Sequence, residues 1–213
     1  MAQVLFVKGH PATAATSVTL QLADSFLAAY KASNPGDTVQ TVDLYHDNIP
    51  MVDTEVMSAW GKFMSGRAGE VTASEGAKVG RLGELADQFV AADKVIFAAP
   101  MWNFGYPAMV KAYIDGAVVV QGKTFNYTAT GPVGLLKGSG KKVVLLEASG
   151  GQYTGTPMQA HTAASNHLKA MLNFVGIEDV QVITAEGMAQ DPTKAPAIVA
   201  AAKANAASHA ASF

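Results

Sequence analysis

Short apolar segments that alternate with helical sequence constrain the fold of this chain more than any other feature. Five such segments are present, at residues 3–7, 38–42, 95–99, 141–146 and 180–184. Most are rich in Val, Leu, Ile or Phe and have the length of a strand buried on both faces. Helical sequence follows each segment, and strand–helix units of this size imply right-handed crossovers between parallel strands. The pattern therefore predicts a parallel sheet covered by helices.

The predicted fold is α/β: a flavodoxin-like, doubly wound, five-stranded parallel sheet with helices on both faces, for which 2-1-3-4-5 is the usual strand order. The 213 residues fit a single domain, residues 1–213, with excursions at about residues 43–71 and 123–134. The first excursion has the apolar spacing of a short helix. A lid, an oligomer contact and packing over the sheet edge all remain open for it. The second has the turn residues of a small hairpin.

Composition excludes several classes of protein. Hydrophobic residues make up 49% and charged residues 15%, which is typical of a chain with a sizeable core. The net charge is −2, and the sequence contains no basic stripe, so no nucleic-acid partner is expected. Cysteine is absent, and His161 and His167 are too far apart for a tight metal pair, so no metal site is predicted. With no membrane span and no signal peptide visible, the expected location is cytoplasmic.

The loop at residues 98–107 is a strong candidate for a ligand-binding segment. Pro100 ends the strand before it, and Pro107 lies where the next helix begins. The loop thus leaves the carboxyl end of a strand, where open α/β sheets bind ligands. It contains Met101, Trp102, Asn103 and Phe104. Two aromatic rings and an amide suit a flat heteroaromatic ligand with polar edges; alternatively, Trp102 and Phe104 are ordinary core aromatics.

Two more loops leave strand ends on the same side of the predicted sheet. After the first strand, the hydroxyls of Thr16, Ser17 and Thr19 accompany a helix start, where free N–H groups and the helix dipole favour an anion. The loop lacks the glycine patterns that bind triphosphates or dinucleotides, so a single phosphate fits it best, although most such helix starts are simply N-caps. After the fourth strand, Gly150 and Gly151 let the backbone approach a ring edge or form an ordinary turn. Together the three loops predict a site for flavin mononucleotide (FMN).

Several segments resemble the FMN-dependent NADH-azoreductases, a flavodoxin-like family that also reduces quinones. The most specific segments are Pro100-Met101-Trp102-Asn103 and Thr124-Phe125-Asn126-Tyr127-Thr128. Further matches are Val4-Leu5-Phe6-Val7-Lys8, Ser17-Val18-Thr19, Gly131-Pro132-Val133-Gly134-Leu135, Ala148-Ser149-Gly150-Gly151 and Ala185-Glu186-Gly187. The resemblance therefore covers nearly the whole chain.

The resemblance implies a set of cofactor-binding residues. Phosphate contacts fall on Ser17, Val18 and Thr19, and ring contacts fall on Met101, Trp102, Asn103, Phe104, Ala148, Ser149, Gly150 and Gly151. His10 matches a cofactor-binding position of the first loop that is often serine, and Ser149 stands where many relatives carry arginine. The family forms homodimers with both active sites at the interface. Phe125 and Tyr127 match an interface element there and are expected to line the substrate pocket.

The activity implied by the resemblance is that of an FMN-dependent NADH:quinone oxidoreductase and azoreductase with a ping-pong mechanism. NADH or NADPH gives a hydride to bound FMN and leaves, and a quinone or azo compound then takes the electrons. Because the cofactor carries the chemistry, no side chain is expected to act as a catalytic acid or base. Water or a hydroxyl such as that of Tyr127 could supply the protons.

Two other functions remain open on the sequence alone. A flavodoxin-type electron carrier, without a small-molecule substrate of its own, would share the fold and the FMN. Such carriers are typically strongly acidic, unlike a chain of net charge −2. A flavin-free scaffold with a signalling or interaction role would share the fold alone. A yellow colour on purification that NADH bleaches would separate this scaffold from the two flavoproteins.

Overall fold

A central parallel sheet forms the framework of the protein, for which the computed structural model describes all 213 residues. The strands are β1 (Gln3–Lys8), β2 (Thr38–Asp43), β3 (Lys94–Ala98), β4 (Phe125–Thr128), β5 (Gly131–Gly134), β6 (Lys142–Ser149) and β7 (Asp179–Glu186). Five of them form a parallel sheet in the order β2-β1-β3-β6-β7, while β4 and β5 form a separate antiparallel hairpin. Without the hairpin strands this is the order 2-1-3-4-5, so the predicted flavodoxin-like fold is confirmed.

Helices cover both faces of this sheet. They are α1 (Val18–Ser33), α2 (Thr54–Met64), α3 (Ala73–Ala91), α4 (Ala108–Tyr113), α5 (Ala164–Val175) and α6 (Ala195–Ala210), with a π-helical turn after α4. α1 and α6 share a core with Val4 and Phe6 of β1, whereas α2 to α5 share a core with Leu5 and Val7. Because alternate side chains of one strand enter opposite cores, a central strand must be apolar throughout. None of the helices has the length and apolar composition needed to cross a bilayer.

β6 is longer than the sequence predicts. It pairs with β7 as far as the Ser149–Glu186 pair. Ala148 and Ser149 therefore lie at a strand end and not in a loop, which is a correction to the predicted boundary.

The pattern Thr156-Pro157-Met158-Gln159 predicts a capping box, and Asp191-Pro192 predicts the cap of the last helix, but both predictions are wrong. At Thr156 no side-chain capping bond forms, and the hydroxyl donates to the Tyr153 carbonyl at 2.8 Å. A 3-10 turn, Pro157–His161, follows, and α5 begins beyond it. Asp191 accepts hydrogen bonds from the N–H and hydroxyl of Thr193, so it closes a turn before α6 and does not cap that helix. In both cases the polar side chain makes local hydrogen bonds and lies before the start of the helix, by about two turns at Thr156 and about one turn at Asp191.

The excursion at residues 43–71 contains the predicted short helix, α2, and an ion pair holds it against α3. The sequence Thr72-Ala73-Ser74-Glu75 has the pattern of a capping box, and Thr72 and Glu75 form one at the start of α3. The same Glu75 carboxylate forms an ion pair with Lys62 of α2, with 2.7 Å between Nζ and Oε2. The Glu75 side chain is only 7% exposed. One carboxylate thus both caps α3 and fixes α2 beside it.

We expect Glu75→Gln to destabilise the protein at neutral pH and to lose this effect in acid. The Lys62 ammonium is the main cause that lowers the pKa of Glu75 from 4.5 to about 2. Because the folded chain favours the carboxylate, its contribution is present above the unfolded pKa of 4.5 and is lost as the pH falls toward about 2. Urea unfolding at stepwise lower pH measures the effect.

Glutamine keeps the capping pattern of α3, so the substitution isolates the charge. Glu84→Gln on the same helix is the matched control, since the Glu84 side chain is 66% exposed. A difference between wild type and Glu75→Gln that stayed constant across the acid range would contradict the expectation.

Candidate functional site

The candidate site lies at the carboxyl ends of β1, β3 and β6, where the sheet changes its winding direction. Hydrogen bonds beyond the strand ends join the three loops there. The Gly9 N–H donates to the Ala98 carbonyl at 2.8 Å, and the Met101 N–H donates to the Ala148 carbonyl at 3.1 Å. Gly9 is a steric requirement, since a Cβ there would lie 2.6 Å from a methyl group of Val110. The structure therefore brings the three predicted loops together at one switch point.

The start of α1 presents free hydrogen-bond donors. Ser17 is the N-cap, and its Oγ accepts from the Leu20 N–H at 3.3 Å. The backbone N–H groups of Val18 and Thr19 have no acceptor within the protein. Ser17 and Thr19 are 4% and 1% exposed, so the donors lie at the bottom of the loop. Two free donors at the positive end of a helix dipole can bind an anion such as a phosphate.

His10 links the first loop to the second. Its Nδ1 accepts from the Ala12 N–H at 3.0 Å, and its ring meets Trp102 edge-on with 5.6 Å between centroids. Burial, and then the charge of Lys8, lower the pKa of His10. A neutral ring whose Nδ1 is an acceptor carries its proton on Nε2, which leaves one N–H to donate.

Residues 102–105 form a tight two-residue turn. Trp102 and Gly105 exchange backbone hydrogen bonds of 2.8 and 3.0 Å. Between them, Asn103 and Phe104 both have positive φ, at 49° and 66°. Two successive positive φ values are the pattern of a type I′ turn. Asparagine often adopts a positive φ and therefore indicates a turn, whereas a bulky aromatic residue rarely does. The positive φ of Phe104 could not be predicted from its residue type.

The loop between β6 and α5 holds this strained turn in place. The Phe104 carbonyl accepts from the N–H groups of Ala163 and Ala164 at 2.7 and 3.2 Å. The Phe104 ring meets Tyr153 edge-on at 5.9 Å and lies 6.3 Å from the ring of His161. Backbone strain persists only where the surroundings enforce it, and such sites are enriched in ligand-binding loops.

Trp102 and Phe104 are not core aromatics. Their side chains are 42% and 40% exposed, whereas Met101 beside them is buried. Asn103 is exposed as well, and it makes no side-chain hydrogen bond within the protein. Half-exposed rings beside a free amide favour the ligand-binding interpretation of this loop over the core interpretation.

The glycines after β6 have a packing role within their own loop. A Cβ on Gly151 would lie 3.0 Å from the Tyr153 hydroxyl, and a Cβ on Gly150 would lie 3.0 Å from Ala189. Ser149 is 5% exposed, and its hydroxyl donates to the Gly151 carbonyl at 3.0 Å. Ser149 therefore stabilises the loop, and its hydroxyl proton is used in this hydrogen bond.

Glu186, at the end of β7, shapes the rim of the site, and sequence reasoning missed this role. Its carboxylate accepts from the N–H groups of Tyr153 and Thr154 at 3.1 and 2.9 Å and from the Thr154 hydroxyl at 2.9 Å. It thereby fixes Tyr153 against Phe104. The sole signal in the sequence was its place in the Ala185-Glu186-Gly187 match.

The structure separates the two hairpin aromatics. Phe125 is buried and packs on Phe174 with 5.0 Å between ring centroids, whereas Tyr127 is 67% exposed. Phe125 also borders an apolar cavity of about 520 Å³ that α2 and the π-helical turn enclose. The cavity is lined by Trp60, Phe63, Met64, Asp115, Val119, Val120, Gln121, Gly122, Phe125 and Asn126. The hairpin and the first excursion thus share one apolar surface.

A buried carboxyl group lies beneath the site. Glu147 on β6 is 5% exposed, and its Oε2 has no hydrogen-bond partner in the protein. The Tyr106 hydroxyl, at the end of the strained loop, is also buried without a partner. Burial, and then the charge of Glu186, raise the pKa of Glu147 to about 7. The sequence showed Glu147 as one charge in an apolar strand and gave no other signal of its environment.

Comparisons with known proteins agree with this geometry. A family model described as "Flavodoxin-like fold" matches residues 2–210. An FMN-dependent NADH:quinone oxidoreductase 2 of Bacillus subtilis (strain 168) is 45% identical over 199 residues, which is 93% of each chain.

Solved structures give the same result. The azoreductase of Bacillus anthracis str. Sterne is 37% identical, with a TM-score of 0.92 over 100% of both chains. An FMN-dependent NADH-azoreductase from Bacillus anthracis str. Ames Ancestor, solved in complex with FMN, is 35% identical with a TM-score of 0.91, covering 99% of this chain and 98% of that one. Fold, site geometry and full-length similarity together show that the chain belongs to the flavodoxin-like family of FMN-dependent NADH:quinone oxidoreductases and azoreductases.

Proposed function

We propose that this protein is an FMN-dependent oxidoreductase that uses NADH to reduce quinones and azo compounds. One observation carries the proposal. The start of α1, with two free N–H donors, lies beside the half-exposed aromatic turn of residues 102–105 at one switch point of the sheet. Relatives named as enzymes match over nearly the full length of the chain, which favours an enzyme over an electron carrier. When bound, FMN supplies the redox chemistry by accepting a hydride from NADH and passing it to the second substrate.

The residues of the cleft fit FMN. The N–H groups of Val18 and Thr19 supply donors for one phosphate, and the N–H of His10 Nε2 supplies a third. The exposed face of Trp102 suits packing against a flat ring, and the amide of Asn103 can hydrogen-bond a polar ring edge. These side chains would bind and orient the cofactor.

We further propose that the protein is a homodimer in which α2 and the hairpin form the interface. Large apolar side chains are exposed on both: Met57, Phe63 and Met64 on α2, at 59%, 49% and 84%, and Tyr127 on the hairpin, at 67%. Contiguous exposed apolar surface of this kind is typical of protein interfaces. In this arrangement Tyr127 would reach the substrate pocket formed with the partner subunit. We place the enzyme in the cytoplasm, which a cysteine-free chain and a need for NADH support.

We expect the purified protein to contain non-covalent FMN. We expect the Ser17→Asp variant to bind FMN at least about tenfold more weakly, which is a loss of about 1.4 kcal/mol of binding free energy. Aspartate is as good an N-cap as serine, so the fold should persist while a carboxylate repels the phosphate. Chromatography of acid-released flavin and titration of the apo-protein with FMN are the measurements. Ser33→Asp, at the exposed far end of α1, is the control for added charge. Release of FAD, or an unchanged dissociation constant in Ser17→Asp, would refute the phosphate site.

We expect Trp102→Ala to impair FMN binding much more than folding. Truncating a buried aromatic side chain lowers the free energy of unfolding by roughly 3–5 kcal/mol. Because Trp102 is half-exposed, its truncation should lower the free energy of unfolding by well below that amount. Urea unfolding of the apo-protein and FMN titration separate the two effects. Phe89→Ala, a truncation of a fully buried ring on α3, should show the opposite pattern. A large loss of apo-protein stability in Trp102→Ala would support the core interpretation instead.

We expect Met64→Lys to dissociate the dimer and lower quinone reduction while the subunit stays folded. Met64 is 84% exposed in the single subunit, so the lysine costs little there, but it would place a charge in the apolar interface. Light scattering at several protein concentrations gives the mass of the particle. Val90→Lys, at an exposed position of α3 outside this surface, is the control. A wild-type monomer with full activity would exclude the proposed interface.

A further inference from the structure

We propose that Glu147 is a positioning residue whose protonated carboxyl group supports the cofactor-binding end of the sheet, so that FMN binds more tightly when Glu147 holds its proton. This inference rests on the proposed function. The geometry points to it because Glu147 is buried without a partner directly below loops that the cofactor would contact. Its neighbour Ala148 receives the hydrogen bond that anchors Met101.

The surroundings of Glu147 contain no positive charge to balance a carboxylate. On β7, Thr184 is its register partner, and the carboxylate of Glu186 follows two residues later. From the loop before α4 comes the Tyr106 hydroxyl, whose own pKa is raised by burial and by Glu147. The inward positions of α5, which covers this face, are apolar, and Glu147 forms no ion pair. The neutral carboxyl group is therefore the form that this environment favours.

Ionising Glu147 would act on the rim of the site through Glu186. The Glu186 carboxylate fixes Tyr153 and Thr154, and Tyr153 packs on Phe104. A second negative charge near the Glu186 carboxylate disfavours this arrangement, because like charges repel and the Glu147 side chain itself is buried. A phosphate bound at the start of α1 adds further negative charge at the same end of the sheet. FMN binding and proton retention by Glu147 should therefore favour one another.

The test compares FMN binding by wild type and Glu147→Gln across neutral pH. Apo-proteins are titrated with FMN, followed by flavin fluorescence, from about pH 6 to about pH 9, which brackets the titration of a carboxyl group with a pKa near 7. The ratio of the wild-type to the Glu147→Gln dissociation constant is expected to rise by about three- to tenfold over this range. Titration of the FMN phosphate and of His10 affects both proteins alike and cancels in the ratio.

Glu178→Gln is the matched control, since it makes the same chemical change at an exposed position near the other end of β7. The ratio of the wild-type to the Glu178→Gln dissociation constant for FMN should not change with pH. A constant ratio for Glu147→Gln, with normal FMN binding, would overturn this inference and leave the proposed function intact. Failure of both proteins to bind FMN at any pH would overturn the proposed function together with the inference.

Urea unfolding of the apo-proteins gives an independent readout. Because folding raises the pKa of Glu147 from 4.5 to about 7, wild type loses stability as the pH rises between these values. The unfolding midpoint of Glu147→Gln should therefore improve relative to wild type as the pH increases. A midpoint difference that does not depend on pH would show that Glu147 does not titrate in this way and would contradict the inference.

Discussion

Hydrogen bonds that continue past the ends of β1, β3 and β6 hold the three loops of the site in one place. Gly9 allows the first loop to lie against β3, where a Cβ would collide with Val110. His10, the next residue, can then reach the ring of Trp102. The start of α1, with its free N–H groups, and the aromatic turn are separated by more than 80 positions in the sequence, yet this contact makes them walls of one cleft.

Negative charge is the main electrostatic problem at this end of the sheet. The start of α1 offers dipole and N–H groups to an anion, and the cleft adds no basic side chain of its own beyond Lys8, which pairs with Asp43. Glu186 accepts hydrogen bonds that hold the rim, and burial together with the charge of Glu186 raises the pKa of Glu147. The positive potential at this end of the sheet comes mainly from oriented dipoles, which are the groups available here to bind a phosphate.

The site also carries costs that the rest of the fold must offset. Phe104 has a left-handed backbone, and the buried Tyr106 hydroxyl and Glu147 Oε2 have no partners. Such features are of order 1–3 kcal/mol each and persist only in a well-packed framework. Two apolar cores on either side of the sheet provide it, and the Glu75–Lys62 pair adds the first excursion to that framework.

The fold follows from the amino-acid sequence alone, since alternating strand and helix periods with proline and glycine boundaries leave few topologies. The meeting of the three loops follows as well, because the carboxyl ends of parallel strands share one edge. The environment of single side chains depends instead on contacts that form only in the folded chain. Phe104 adopts its backbone because Ala163, Ala164 and Tyr153 hold it there. The pKa of Glu147 is raised because its side chain is buried and because β7 places Glu186 beside it. These are contacts between segments distant along the chain, which local propensity cannot encode.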